Sequence, residues 1–212
     1  VLARLLPYGD SALLVEPADP AAVPQLLGAA DAGVFPGVGE AVAGASTVLL
    51  IGTGRLPDAG RVAELIAALD DHPAPTDVPA THPAAGRPLL IRVRYDGPDL
   101  ERVAAHAGCS VPEVVAAHTA PTYRVAVTGF APGFGYLRGL PPELHCPRLT
   151  SPRPRVPAGA VGVAAGWTGV YPRSMPGGWN LLGTTETVMF DPDRRPPALL
   201  SAGASVRFVA LE

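Results

Sequence analysis

Between Gly129 and Gly183 lie 55 residues that hold 11 glycines, 9 prolines, both tryptophans and six of the chain's twelve aromatics. Glycine lets backbone approach closely or turn left-handed, and proline fixes φ and removes a hydrogen-bond donor. A stretch this dense in both cannot run as a long helix. It is also too aromatic and apolar for a disordered linker. Short strands joined by tight, shaped turns are the economical solution, with rings fixed among them. Such a build suits a cleft carried on loops, and it equally suits a barrel whose turns are rich in Gly and Pro. Composition alone leaves both open.

The 212 residues have room for one large domain or two small ones, and 48% of them are apolar. Proline and glycine together number 50 (26 + 24), which points to a turn-rich all-β or α+β protein. Net charge is −3, so no basic face for nucleic acid is implied. All 16 cations are arginine. Without lysine this chain cannot carry a biotinyl-lysine, a Schiff base or a phosphate-loop lysine, and any such function must lie on a partner. Cys109 and Cys146 have no CxxC or metal spacing and read as small buried hydrophobes. No metal is expected. Few cysteines, the lack of a secretory pattern and the lack of a long apolar run lead to an expectation of a soluble, cytoplasmic protein that does not cross a membrane.

In chain order, residues 4–6 and 12–16 read as strands around a turn, and Asp19-Pro20 starts a helix over 21–30. Residues 34–45 read as a bent strand and 46–51 as a strand. Val62, Leu65, Ile66 and Leu69 then fall at helical spacing. The result is a small antiparallel sheet with helices on one face, over residues 1–80. Residues 72–86, with four prolines, His72 and His82, read as a linker. A second domain, 87–212, begins with an alternating strand over 87–95 and continues with two short helices. Gly108 ends the first of these, and Ser110 with Glu113 forms a capping box for the second. Further strands are expected at 123–128, 187–190, 198–200 and 205–211.

The helix pair has the length of a helix-turn-helix, but Val111–Thr119 offers no Arg, Lys, Asn or Gln to read base edges. A hairpin packed on a barrel is the better reading, with His106 and His118 as helix-surface or hydrogen-bonded residues. No GxGxxG, GxSxG or HExxH pattern occurs. Arg148, Arg153 and Arg155 lie on a proline-stiffened segment and could grip a carboxylate or phosphate, or simply pair locally in solvent. Phe130, Phe134, Tyr136, Tyr171 and Trp179 could line a cleft or fill a core. No pair of carboxylates is placed for acid–base work.

The runs GFAPGFGYLRGLP (129–141), PRLTSPRPRVPAGAVGVAAG (147–166) and TGVYPRSMPGGWNLLG (168–183) resemble the family of the 5-oxoprolinase B subunit. That family is also known as allophanate hydrolase subunit 1 and includes the kinase inhibitor KipI. The N-terminal GDSALLVE, the YDGPDLERVA and GCSVPEVVAAHT segments and the closing FDP, PPALLSAG and VRF runs fit too, so the resemblance extends over essentially the whole chain. It implies an α+β protein: a small antiparallel-sheet domain followed by a cyclophilin-like β-barrel domain. It also implies a partner like KipA, the 5-oxoprolinase C subunit or allophanate hydrolase subunit 2, and a third, A-type component (LamB/YcsF-like). Together such proteins resemble a carboxyltransferase of urea carboxylase type, or open the lactam of 5-oxoproline to glutamate at the expense of ATP. ATP would be shared with the partners, and biotin would enter only on a partner.

Substrate contacts are expected from Phe130, Pro132, Gly133, Tyr136, Pro157, Gly159, Tyr171, Gly177, Gly178 and Trp179, and anion binding from Arg148. No residue is assigned as the general base. The chain departs from the family pattern with Gly135 for Pro, Trp167 for Gln, Met175 for Ser, Thr184 for Arg and Ala204 for Asp. A non-catalytic, KipI-like inhibitor of a histidine kinase is the alternative reading, and a stand-alone prolyl isomerase rests on barrel type alone.

Overall fold

The computed structural model describes residues 3–69 and 87–211. The chain divides into two compact units, Val1–Val78 and Pro79–Glu212. The expected linker over 72–86, with His72 and His82, lies outside the described residues.

The first unit contains β1 (Ala3–Tyr8), β2 (Ala12–Pro17), α1 (Val23–Asp31), β3 (Val38–Ala43), β4 (Val48–Gly52) and α2 (Ala59–Ala68). Its sheet is antiparallel throughout, in the order β1-β2-β4-β3. Alternation sends Leu13, Val15, Val48 and Leu50 to one face, where they meet Val23, Leu26 and Ala29 of α1 and Val62 and Ile66 of α2. The Asp19 carboxylate accepts from Ala21 N, but it caps a short 3-10 turn over Pro20–Ala22, and α1 follows that turn. The bent strand expected over 34–45 is a strand only from Val38. Before it, Phe35 is buried in the core.

The second unit holds β5 (Leu89–Val93), α3 (Leu100–Ala107), α4 (Val111–Thr119), β6 (Tyr123–Thr128), β7 (Gly135–Arg138), β8 (Arg153–Val156), β9 (Ala160–Ala164), β10 (Trp167–Val170), β11 (Met175–Gly177), β12 (Asn180–Thr184) and β13 (Ser205–Ala210). Seven strands form one sheet in the order β12-β9-β10-β7-β6-β13-β5. Arg94, just beyond β5, bridges back to Thr184 at the end of β12, so the sheet nearly closes into a barrel. Closure protects strand edges that would otherwise pair with other chains. Strands β8 and β11 form a separate two-stranded ribbon.

The barrel interior is filled from every wall by Ile91, Val93, Tyr123, Val125, Leu137, Val161, Val163, Val170, Leu182, Val206 and Phe208. The α3–α4 hairpin adds Leu100, Val103, Ala104 and Val114 to that core. Gly108 ends α3 at φ +66°, and the Ser110–Glu113 capping box starts α4, both as the sequence predicts.

Two expectations fail here. Residues 187–190 and 198–200 do not form strands, because only Phe190 and Ala198 pair in a single bridge. Pro192, Pro196 and Pro197 remove ladder donors from this segment. The Arg194 guanidinium instead donates to the carbonyls of Val188, Met189 and Pro197, winding the segment around one cation. His118 takes the hydrogen-bonded one of its two readings and is fully buried. Thr168 Oγ1 donates its single proton to Gly162 O, so His118 Nε2–H must donate to Thr168 Oγ1, and Nδ1 then accepts from the Tyr95 hydroxyl. Burial pushes the imidazole pKa down to about 3 and raises the Tyr95 and Tyr123 phenols. A neutral, hydrogen-bonded histidine thus completes the barrel core.

Candidate functional site

Period-two alternation on β7, β9, β10 and β12 builds a second core on the outer side of the barrel wall. Val161, Val163, Val170, Leu137 and Leu182 point inward, while Ala160, Ala164, Trp167, Tyr136 and Leu181 belong to the outer cluster. The outer positions at the centre of β9 and β10 carry no side chain. A Cβ at Gly162 would stand 3.3 Å from Trp179 Cβ, and one at Gly169 would stand 3.3 Å from Trp179 Cζ3 and 3.5 Å from Phe134 Cζ. The glycines therefore make a flat floor on which the two rings lie. Val156 of β8 and Met175 of β11 pair with each other and close the cluster from above.

Phe134 is the hub of the rings. It meets Phe130, Tyr136, Tyr171 and Trp179 edge-to-face at centroid distances of 5.0–5.5 Å. Tyr136 extends the chain of rings to Trp167 at 5.9 Å, and the Arg138 guanidinium lies 5.8 Å from the Trp167 ring centroid. All six aromatics of the Gly/Pro-rich stretch thus form one assembly. Its interior, with Phe134, Tyr171 and Trp179, is a packed core, while Phe130 on its rim is exposed.

The expected contact residues fall as follows. Phe130 is 62% exposed and sits at φ +70°, a left-handed conformation that is rare for a bulky side chain. It is presented by a type II turn over Ala131–Phe134, with Pro132 and Gly133 (φ +83°) at the central positions and Phe134 N donating to Ala131 O at 2.9 Å. Tyr136 is half-buried, and Tyr171 and Trp179 are buried. Gly177 permits this packing, since a Cβ there would lie 2.8 Å from Tyr171 Cζ. Gly178 O accepts from Leu149 N. Gly159 does not offer a free backbone donor at a cleft edge. Its N–H donates to Tyr171 O, and its carbonyl accepts from Thr185 N. Pro157 is exposed beyond β8, and its carbonyl accepts from Ala160 N at 3.3 Å.

The three arginines part company. Arg153 Nη2 donates to Asp99 Oδ1 at 2.8 Å, and Asp99 Oδ2 accepts from Leu181 N at 2.7 Å. Asp99 is 6% exposed and stands just before α3, so this pair ties the segment after Pro147 to the barrel. Asn180 adds a second anchor. Its amide donates to the Pro147 and Val163 carbonyls, and its oxygen accepts from Arg102 Nε. Arg148 lies between the anchored Pro147 and Leu149, is exposed, and has no hydrogen-bond or ion-pair partner among the described residues.

Sequence reasoning missed Asp99 and Asn180. Asp99 stands just before α3, and no local pattern betrays a partner 54 residues away. Of the departures from the family pattern, Trp167 and Met175 lie in the outer cluster and Gly135 packs against Leu200 and Val125. Thr184 closes the barrel, and Ala204 packs against the barrel core. A shallow depression in the first unit, bordered by Gly37, Arg55 and the start of α2, involves none of these residues, and Asp58 already caps that helix.

The chain matches the carboxyltransferase domain, subdomain C and D, over residues 3–200. It is 54% identical over 113 residues to the 5-oxoprolinase B subunit of Escherichia coli O157:H7, and 50% identical over 115 residues to that of Bacillus subtilis strain 168. These matches cover 53% and 54% of this chain, and the chain spans about half the length of each relative (52% and 48%). The solved protein TTHA0988 is 38% identical, with a TM-score of 0.72, over 100% of this chain and 40% of its own. The Kluyveromyces lactis urea amidolyase shares the fold at 17% identity and a TM-score of 0.73, over 99% of this chain and 15% of its own. The chain belongs to the carboxyltransferase-domain family, subdomains C and D, in which its relatives are named as the B subunit of 5-oxoprolinase.

Proposed function

We propose that this chain is the B subunit of a heteromeric 5-oxoprolinase that opens the lactam of 5-oxoproline to glutamate with ATP hydrolysis. The observation that carries the reading is the outer aromatic cluster, with Arg148 next to Leu149, which donates to Gly178 O beside Trp179, in a chain about half identical over roughly half its length to proteins named for that role. The rings offer an apolar seat for a small five-membered ring, and Arg148 offers a cation for a carboxylate.

The same site argues for a partner. Residues 144–185 contain no Asp or Glu, and their only histidine, His145, is held by a hydrogen bond between Nε2 and Leu140 O. A general base and the groups that would handle phosphate must come from partner proteins, one of the C type and, for the third component, one of the A type. The described residues around the cluster offer no lysine or phosphate loop to hold ATP, so ATP would sit on those partners. When bound there it would activate the amide by phosphorylation. A carboxyltransferase role would likewise need biotin on a partner, since this chain has no lysine. Co-expression with the partner proteins, followed by an assay for ATP-dependent glutamate release, tests the reading.

A further inference from the structure

The outer wall of the barrel has a second half, formed by β7, β6, β13 and β5, and it is cationic. Alternation sends Leu137, Tyr123, Phe208 and Ile91 of these strands into the core. The outer positions carry Arg138, Arg124, Arg207 and Arg92, all exposed, and Arg94 continues the β5 row at the closing bridge. Register brings them together. Arg124 and Arg138 are direct partners across β6 and β7, and Ser205, two positions before Arg207, faces Arg124. Arg207 and Val209 of β13 face Leu90 and Arg92 of β5. None of the five arginines forms an ion pair among the described residues. Residues 87–95, 121–140 and 203–211 contain no Asp or Glu, although the whole chain is net acidic. The next carboxylate along the chain, Asp96, accepts from Thr184 Oγ1. Like charges directly opposite each other weaken a sheet. Arg138 offsets part of this cost by lying over the Trp167 ring, and Arg124 by donating to Gly203 O. Guarding an edge strand explains a charge on β5, but β13 and β6 lie inside the sheet, where there is no edge to guard.

We infer that this face docks a partner protein through an acidic surface with an apolar centre. The inference rests on the proposed assembly, whose chemistry requires partner proteins, and it assigns where on this chain one of them binds. Leu90 and Val209, 58% and 37% exposed, alternate with Arg207 and Arg92 in a checkerboard of apolar and cationic positions. A protein surface answers both, with carboxylates for the guanidiniums and side chains for Leu90 and Val209. Single-stranded nucleic acid fits less well, because the outer positions of β5, β13 and β6 hold no aromatic ring on which a base could stack.

The test is calorimetric titration of the full chain with purified C-type and A-type partner proteins, one at a time. One of them should bind, with an affinity that falls at least about tenfold between about 50 mM and about 500 mM salt. Arg92→Glu combined with Arg207→Glu should weaken that binding at least about tenfold. Arg4→Glu combined with Arg55→Glu, the same change of charge made in the first unit, should alter it less than about twofold. The salt series needs no variant, so it reports on the face even if a substitution disturbs folding. Several results overturn the inference: binding that neither salt nor the Arg92 and Arg207 substitutions change, no binding by either protein, or self-association of this chain that those substitutions abolish. Tighter binding to anionic phospholipid vesicles or to oligothymidylate than to either partner overturns it too. Salt-sensitive docking through this face in an assembly that releases no glutamate would refute the 5-oxoprolinase reading and leave the docking face standing. Glutamate release that the Arg92 and Arg207 substitutions leave unchanged at limiting partner concentration would refute the docking face alone.

Discussion

Trp179 lies over Gly169. A side-chain carbon at that glycine would come within 3.3 Å of the indole and 2.8 Å of the Gly135 carbonyl oxygen. The ring cannot yield without pressing on Phe134, and the carbonyl belongs to a paired strand. Gly169→Ala is therefore expected to destabilise the second unit by about 1–3 kcal/mol through overpacking. Chemical denaturation with tryptophan emission as the probe checks this, and a red-shifted native spectrum should accompany the loss.

The Asp99–Arg153 pair makes a separate prediction. Asp99→Ala leaves the Leu181 N–H without its acceptor and Arg153 without its counter-ion. With the arginine side chain 30% exposed, water recovers part of the loss. About 2 kcal/mol of destabilisation is expected, below the range for a fully buried pair. Asp99→Asn should lose less, because the amide oxygen can still accept from Leu181 N. Thermal unfolding of the two variants side by side gives the comparison.

Much of this architecture is legible in the sequence, for reasons that differ between elements. The α3–α4 hairpin announces itself through Gly108 and the Ser110–Glu113 box, because caps are local chemistry. The aromatic stretch reads as short strands because Gly and Pro exclude a helix. The alternation within Ala160–Ala164 is less visible, since small residues on the outer face look like an ordinary apolar run until Trp179 is seen to lie there. Asp99 and Arg194 carry no local signal of their roles, and for His118 the sequence leaves the helix-surface and hydrogen-bonded readings open. Asp99 and His118 are defined by partners from another part of the fold, and His118 on α4 acquires its meaning only when Thr168 arrives from β10.

His118 predicts the acid response. Its pKa is about 3 in the folded chain, against about 6.5 for an unperturbed histidine, so between those values the unfolded state binds one more proton. The contribution of neutral His118 is complete above pH 6.5 and is lost as pH falls toward 3, at up to about 1.4 kcal/mol per pH unit. His118→Gln should be less stable at pH 7, where its amide replaces the imidazole imperfectly between Tyr95 and Thr168. Its stability should then decline less steeply between pH 6 and pH 4, by about one proton's slope. Urea midpoints across that range measure both effects.

Phe130 separates stability from function. Its left-handed backbone stores about 1 kcal/mol of strain, and its edge contact with Phe134 returns about the same amount. Phe130→Gly relieves the strain, loses the contact and gains unfolded-state entropy, so the net change in stability should stay within about 1 kcal/mol. Turnover of the assembled enzyme should nevertheless fall at least tenfold, because the exposed ring at the border of the cluster is gone. Equal turnover in a well-folded variant would remove Phe130 from the site.

The most direct measurement is glutamate release from 5-oxoproline by this chain co-purified with C-type and A-type partner proteins, with ATP present or withheld and with this chain included or omitted. The account predicts release only when the chain, both partners and ATP are all present. A stable, folded assembly that releases no glutamate, or release that continues at the same rate when this chain is left out, would contradict it.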